Sequence, residues 1–260
     1  MAKGAISLRY VLEGTGHDVV LIHGLGQRLE DWDVQKEALV NNGYRVLTFD
    51  LRGHGESEWT AEEVNIRTYA HDLNRLLCQL SIDRAHLVGL SMGGAIAQMF
   101  YRDFPEKVQT LVLAATFSYF PENMKQSSLE SRLSYIDQGK MEELAELIAR
   151  RSFTENAPIE LIENMKKTIA DNHLAAYRGS MIASINADSR EYLAEIEVPV
   201  LIIVGEGDLT TPLACSQYLH QHIKNSRLVV IPEARHMLTQ ERPDSFNREL
   251  LQFLREMRER

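Results

Sequence analysis

The chain has 260 residues, 44% of them hydrophobic and 25% charged, a composition suited to a soluble globular protein with one large core. Its 28 basic and 37 acidic side chains leave a formal net charge of −9, which argues against nucleic acid or an anionic membrane surface as a partner. The two cysteines, Cys78 and Cys215, make no metal-ligand or redox spacing and read as free thiols of a reducing compartment.

Met1 to Ala5 leads into a strand-like segment with no apolar leader. No apolar run approaches the roughly 20 residues that cross a bilayer, so a cytoplasmic protein is expected. Residues Ile6–Leu12 alternate like an edge strand, turned by Gly14-Thr15-Gly16, and Asp18–Ile22 is a continuous apolar run suited to a strand buried on both faces. A helix is expected over Asp31–Asn41, a strand over Tyr44–Phe49 and a helix over Thr68–Leu80. A strand over Ala85–Leu90, a helix over Ser91–Asp103 and a strand over Val108–Ala115 follow. After a long gap come a strand at Val200–Val204, a helix at Cys215–Ile223, a strand at Arg227–Ile231 and a helix at Asp244–Arg258. This alternation predicts an α/β fold with a mostly parallel central sheet flanked by helices.

The gap is the anomaly. Thr116 to Pro199 spans 84 residues, whereas a helical crossover needs a dozen or so. Leu144, Leu147 and Ile148, then Ile159, Ile162, Met165 and Ile169, then Met181, Ile182 and Ile185, recur at helical spacing. The expectation is an inserted helical cap, residues 117–187, over the sheet's carboxyl edge, where open α/β proteins bind ligands. Residues 1–116 and 188–260 would then form the core. An accessory bundle with no part in binding is the alternative.

Gly89-Leu90-Ser91-Met92-Gly93 spells G-x-S-x-G between a strand and a helix, the setting that lifts a serine out of a sheet as a nucleophile. Such a serine needs a base and an acid that orients the base. His236, just past the last strand, is the candidate base, with His220 and His222 as helix-borne rivals. Asp208, in the loop after Leu201-Ile202-Ile203-Val204, is the candidate acid; Glu206 is its rival, and a turn or capping role is the alternative for Asp208. Two amide donors are needed for the oxyanion, and Met92 N–H and Leu25 N–H are the candidates. His23 is expected to brace the loop holding Leu25.

With His23-Gly24-Leu25-Gly26, Asp50-Leu51-Arg52-Gly53-His54-Gly55-Glu56-Ser57, Gly89–Gly94, Gly205-Glu206-Gly207-Asp208 and His236 in this order, the chain resembles the α/β-hydrolase superfamily over essentially its full length. The stretch Gly89–Gly94 and the tail Glu241–Asn247 look most like the 3-oxoadipate enol-lactonases and small carboxylesterases. The resemblance implies that Asp50–Ser57 is a structural turn braced by Arg52 and His54. Leu90 stands where C–C bond hydrolases of ring-fission products often carry Asn. Gly26 stands where perhydrolase and haloperoxidase relatives tend to have proline. Arg235 precedes His236 where relatives usually have glycine, and an inward guanidinium there would lower the imidazolium pKa.

These features lead to the expectation of a serine hydrolase that cleaves a carboxylic ester or lactone through an acyl-enzyme on Ser91, with no metal or organic cofactor. C–C bond cleavage and a non-turnover ligand receptor are the alternatives. The partner would be a small-molecule ester or lactone; nothing indicates a homo-oligomer. The pocket is expected to be walled by Leu25, Trp32, Leu90 and Met92, with plain helix packing as the alternative for Trp32. Among cap arginines 132, 150, 151 and 178, one that faced the site would suit an anionic substrate.

Overall fold

The computed structural model describes residues 6–258. Seven strands form one sheet: β1 (Tyr10–Gly14), β2 (His17–Ile22), β3 (Tyr44–Phe49), β4 (Ala85–Leu90), β5 (Val108–Ala114), β6 (Val200–Gly205) and β7 (Ser226–Ile231). Their order is β1-β3-β2-β4-β5-β6-β7, and all pairs are parallel except β1 with β3. The edge strand starts at Tyr10, later than the alternation from Ile6 predicts. The backbone of Ser7 and Arg9 is instead tied to the loop after β3, through Glu58, Ser57 and Asp50.

Alternate residues of each central strand feed two cores. Val19, Leu21, Val46, Val88, Val112, Leu201 and Ile203 face α1 (Asp33–Asn41) and the C-terminal helix Pro243–Arg258. Val20, Ile22, Leu47, Leu87, Leu111, Leu113 and Ile202 face α2 (Ile66–Gln79), α3 (Met92–Asp103) and the helix Leu213–His222. Burial on both sides explains why these strands read as continuous apolar runs rather than alternating ones.

Four helices fill the long connection between β5 and β6: α4 (Glu122–Asp137), α5 (Met141–Ser152), α6 (Ile159–Ala170) and α7 (Leu174–Ile185). The last three match the predicted periodicity, while α4, which seats only Leu129, Leu133 and Ile136 on the core, was not among the expected repeats. Their apolar faces join the core on the β1-to-β7 sheet's first face, with Ile136, Leu144, Phe153, Ile169 and Tyr177 all buried. The chain then completes the sheet with β6, α8 (Leu213–His222), β7, the short α9 (Leu238–Glu241) and α10 (Pro243–Arg258). Among the described residues no helix is long and apolar enough to cross a membrane. Cys78 and Cys215 are free thiols.

Candidate active site

Ser91 stands between the end of β4 and the first turn of α3, with φ 54° and ψ −117°. A residue with a Cβ pays on the order of 1–3 kcal/mol in such a conformation, and keeps it only when the surroundings impose it. They do so here. Ser91 N–H donates to the Ala114 carbonyl at 2.9 Å, and the Thr116 hydroxyl donates to the Ser91 carbonyl at 2.6 Å. The flanking glycines are a steric necessity: a Cβ on Gly89 would lie 2.3 Å from the Gly93 carbonyl oxygen, and one on Gly93 would lie 2.2 Å from that of Ile22.

Asp208 follows β6 and His236 follows β7, so both reach the same carboxyl edge of the sheet as Ser91. His236 Nδ1–H donates to Asp208 Oδ2 at 2.9 Å, and both side chains are buried. The carboxylate also accepts the amides of Thr210 and Thr211 at 2.7 and 2.9 Å and the Thr211 hydroxyl at 2.8 Å. Burial raises the Asp208 pKa, but the charge and hydrogen bond of His236, joined by the two amides, outweigh it and hold the carboxyl below its ordinary range. With Nδ1 committed as a donor, Nε2 is the ring atom left to accept a proton. The turn-forming role weighed for Asp208 is therefore present as well, in the same side chain. The rival acid Glu206 is exposed. His220 and His222 lie exposed on α8, bonded to Ser226 and Tyr218.

Ser91 and His236 open on one cavity of about 130 Å³. Among the described residues no hydrogen bond joins the Ser91 hydroxyl to the imidazole; such contacts are commonly long without substrate and tighten in its complex. Leu25, Gly24 and Gln27 line the same cavity. The amides of Leu25 and Met92 find no acceptor among the described residues, and that of Met92 opens helix α3, where unpaired N–H groups and the dipole favour an anion. Close approach of the Leu25 loop requires Gly24, whose Cβ would lie 2.5 Å from Gln27 Oε1 and 3.3 Å from Ser91 Cβ.

Two side chains unmarked by any local signal hold this arrangement. Gln27 Oε1 accepts the Gly24 amide at 2.7 Å while its Nε2 donates to Met237 Sδ at 3.4 Å, joining the amide loop to the histidine loop. Thr211 supports Asp208 as described. His23 braces as expected, because Leu51 N–H donates to its Nε2 at 2.9 Å, which leaves Nδ1 to donate to the Gly24 carbonyl at 2.8 Å. Arg52 is buried in a two-point ion pair with Asp72 at 2.7 and 2.8 Å, and His54 bonds the Arg52 carbonyl.

The expected pocket wall needs correction. Trp32, Leu90 and Met92 do not line the cavity; Leu25 does. Trp32 packs on Phe246 of α10, the alternative weighed for it, with ring centroids 6.3 Å apart. Leu90 is the last residue of β4, and strand alternation turns its side chain into the first core. Met92 begins α3 and points into the second core, leaving only its backbone toward the site. The wall is instead supplied by α4–α7, with Arg132, Ile148, Met165, Tyr177 and Ile185 among its members.

Arg235 does not turn toward the imidazole. Its guanidinium donates to the carbonyls of Phe153 at 2.8 Å and Arg150 at 3.2 Å, at the C-terminal end of α5, where a cation meets the negative end of the helix dipole. The histidine loop is strapped to the same turn by Met237 N–H to the Ser152 carbonyl at 3.0 Å. Glu241 completes the strap, accepting Thr154 N–H and O–H at 2.6 and 2.7 Å and Arg235 N–H at 2.7 Å. Glu241→Ala leaves three donors without that acceptor in a buried setting, at about 1–3 kcal/mol in all if water re-solvates part of them. Thermal unfolding is expected to fall by about 3–10 °C. An unaltered midpoint would show that the strap contributes nothing to stability.

The sequence profile of the alpha/beta hydrolase fold matches residues 19–243. The chain is 32% identical over 248 residues to 3-oxoadipate enol-lactonase 2 of Acinetobacter baylyi, covering 93% of this chain and 91% of that one. A thermophilic esterase from Thermogutta terrifontis, solved with malate bound, superposes with a TM-score of 0.92 at 27% identity, covering 99% of this chain and 96% of that one. A bromoperoxidase from Bacillus anthracis superposes with a TM-score of 0.91 at 28% identity, over 96% of each chain. With a sheet of this order, a serine at the strand–helix turn and a profile match across most of its length, the chain belongs to the α/β-hydrolase fold family.

Proposed function

We propose that this protein is a serine hydrolase of small carboxylic esters or lactones, acting through an acyl-enzyme on Ser91. The observation that carries the reading is His236, held by a buried hydrogen bond to Asp208 and opening on the same cavity as a serine in a forced backbone conformation. In this mechanism His236 Nε2 removes the Ser91 proton as Oγ adds to the substrate carbonyl. The oxyanion is held by the amides of Leu25 and Met92, which need no reorganisation because no acceptor among the described residues occupies them. Collapse of the tetrahedral intermediate breaks the acyl–oxygen bond, and His236 returns the proton to the leaving alkoxide. Water, deprotonated by the same imidazole, then cleaves the acyl-enzyme to acid and free Ser91. Asp208 keeps the ring in the tautomer with Nδ1 protonated.

The enclosure favours small substrates. At about 130 Å³ the cavity is well under the roughly 300–1,000 Å³ of sites that take drug-sized ligands. Residues 117–187 act in this reading as the cap that supplies the roof. The relatives named as enol-lactonase and esterase support the same reaction class. The test is twofold: steady-state turnover of p-nitrophenyl butyrate and of a simple lactone, and stoichiometric labelling by a fluorophosphonate located at Ser91 by mass spectrometry. A burst without steady turnover would replace the reading by that of a ligand receptor. Turnover confined to a ring-fission dienoate would replace it by C–C bond hydrolysis.

A further inference from the structure

We propose that the Gln27 carboxamide is a positioning residue for catalysis, aiming the Leu25 amide at the oxyanion and tying that aim to the loop of His236; this rests on the serine hydrolase reading above. Leu25 and Gly26 stand at the centre of a turn that Gln27 N–H closes on the Gly24 carbonyl at 3.3 Å. Gly26 has φ +74°, which the third place of a type II turn requires. The direction of the Leu25 N–H is set by the peptide that joins it to Gly24, a residue with no Cβ to limit its rotation. Gly24 is therefore the weak joint of the oxyanion loop. His23 Nδ1 holds the peptide after it through the Gly24 carbonyl at 2.8 Å, and Gln27 Oε1 holds the peptide before it by accepting the Gly24 N–H at 2.7 Å. With both planes held, the two dihedral angles of Gly24 are fixed.

The brace and the glycine require each other. A Cβ on Gly24 would lie 2.5 Å from Gln27 Oε1 and 3.3 Å from Ser91 Cβ, so the carboxamide fills the space that a side chain there would take. Gln27 is buried and lines the cavity beside the nucleophile. Its orientation is unique, because Nε2 donates to Met237 Sδ at 3.4 Å and the reversed amide would set an NH₂ against the Gly24 N–H. A glutamate of the same length would bring a negative charge beside the developing oxyanion, and a lysine or arginine accepts nothing. Met237 is itself fixed, since it follows His236 directly and its N–H donates to the Ser152 carbonyl at 3.0 Å. A thioether is a weak acceptor, so its part is to set the plane of the carboxamide rather than to add much stability. The amide donor comes from the loop after β2 and the base from the loop after β7. One neutral side chain thus places the two relative to each other, which is the alignment that stabilisation of a tetrahedral intermediate depends on.

The experiment measures turnover of p-nitrophenyl butyrate beside inhibition by two ketones of one skeleton. Ser91 adds to 1,1,1-trifluoro-2-pentanone to give a hemiketal that carries an oxyanion, whereas 2-pentanone binds without addition. Gln27→Leu is expected to lower kcat by about 10- to 100-fold, less than outright loss of an oxyanion donor, with KM within about 3-fold of native. Binding of the trifluoro ketone should weaken by the factor that kcat/KM falls, while 2-pentanone is unchanged, a split that general damage to the pocket would not produce. Met237→Leu, a near volume-conserving change, should lower kcat by about 2- to 5-fold, the low end of one hydrogen bond, and cost nothing further in the Gln27→Leu background. Unchanged kcat in Gln27→Leu, equal weakening of both ketones, or losses that add in the double variant overturn the inference. If Gln27→Leu does not fold, Met237→Leu decides alone: a fall in kcat matched by the trifluoro ketone only supports the coupling, and no fall overturns it. Failure of the hydrolase reading shows in the native chain instead, which would neither turn over the ester nor form the hemiketal, and the inference would fall with it.

Discussion

Ser91→Ala is expected to lower kcat on p-nitrophenyl butyrate by about 10⁴- to 10⁶-fold, with the fold intact. The variant keeps the groups that hold the turn, because the Thr116 and Ala114 contacts are made to the Ser91 backbone. Only the attacking oxygen is lost, so the thermal midpoint should stay near that of the native chain. Residual turnover would come from the Leu25 and Met92 amides acting on direct attack by water, the contribution that survives loss of a nucleophile in serine hydrolases generally. Asp208→Asn should come close to the same loss for a different reason. All four partners of this carboxylate are donors, so an amide NH₂ must face one of them and the imidazole tautomer is no longer imposed. Near-native turnover by Ser91→Ala would remove the proposed mechanism altogether.

Stability is expected to fall steeply as pH drops from about 6.5 toward 4. Burial pushes His23 down to about 4. Burial, reinforced by the neighbouring His23, pushes His54 down to about 3. Burial, with His17, Arg258 and Arg84 adding to it, pushes His86 down to about 4. In the unfolded chain these rings titrate near 6.5, so below that pH the unfolded state binds protons that the native state refuses. Their contribution is complete above about pH 6.5 and is lost on acidification at roughly 1.4 kcal/mol per pH unit for each ring, until the folded values are reached. Three rings together cost about 4 kcal/mol per unit, against a total stability on the order of 5–15 kcal/mol. Urea unfolding at pH 7, 6 and 5 measures it. A flat profile would mean that these histidines accept protons in place. The cause is structural: the Leu51 amide occupies His23 Nε2, and His54 Nε2 is sealed away from any partner among the described residues.

Much of the architecture was legible because both cores bury parallel strands on two faces. Tyr44–Phe49 and Ala85–Leu90 end where their apolar runs end, since each run must fill one strand through the layer. Helix α4 was not legible, because its inward stripe is short, with Leu129, Leu133 and Ile136 packed on the core within an otherwise polar stretch. The positions of Ser91, Asp208 and His236 at strand ends followed from local pattern alone. The contacts that strap their loops in place did not, because Gln27 and Met237 meet across 210 positions of sequence and Glu241 reaches back 87 to Thr154.

The linear order of residues determined the α/β class, the strand–turn–helix that carries Ser91 and the inserted helical stretch, since periodicity, glycine placement and chain spacing are local quantities. Which side chains face the cavity was decided only in three dimensions. Leu90 and Met92 adjoin Ser91 in the chain yet point into opposite cores, while Arg132 and Tyr177 face Ser91 across the cavity from far along it. One step along a strand or into a helix reverses a side chain's direction, and only the packing of α4–α7 on the sheet settles which of them meets a ligand.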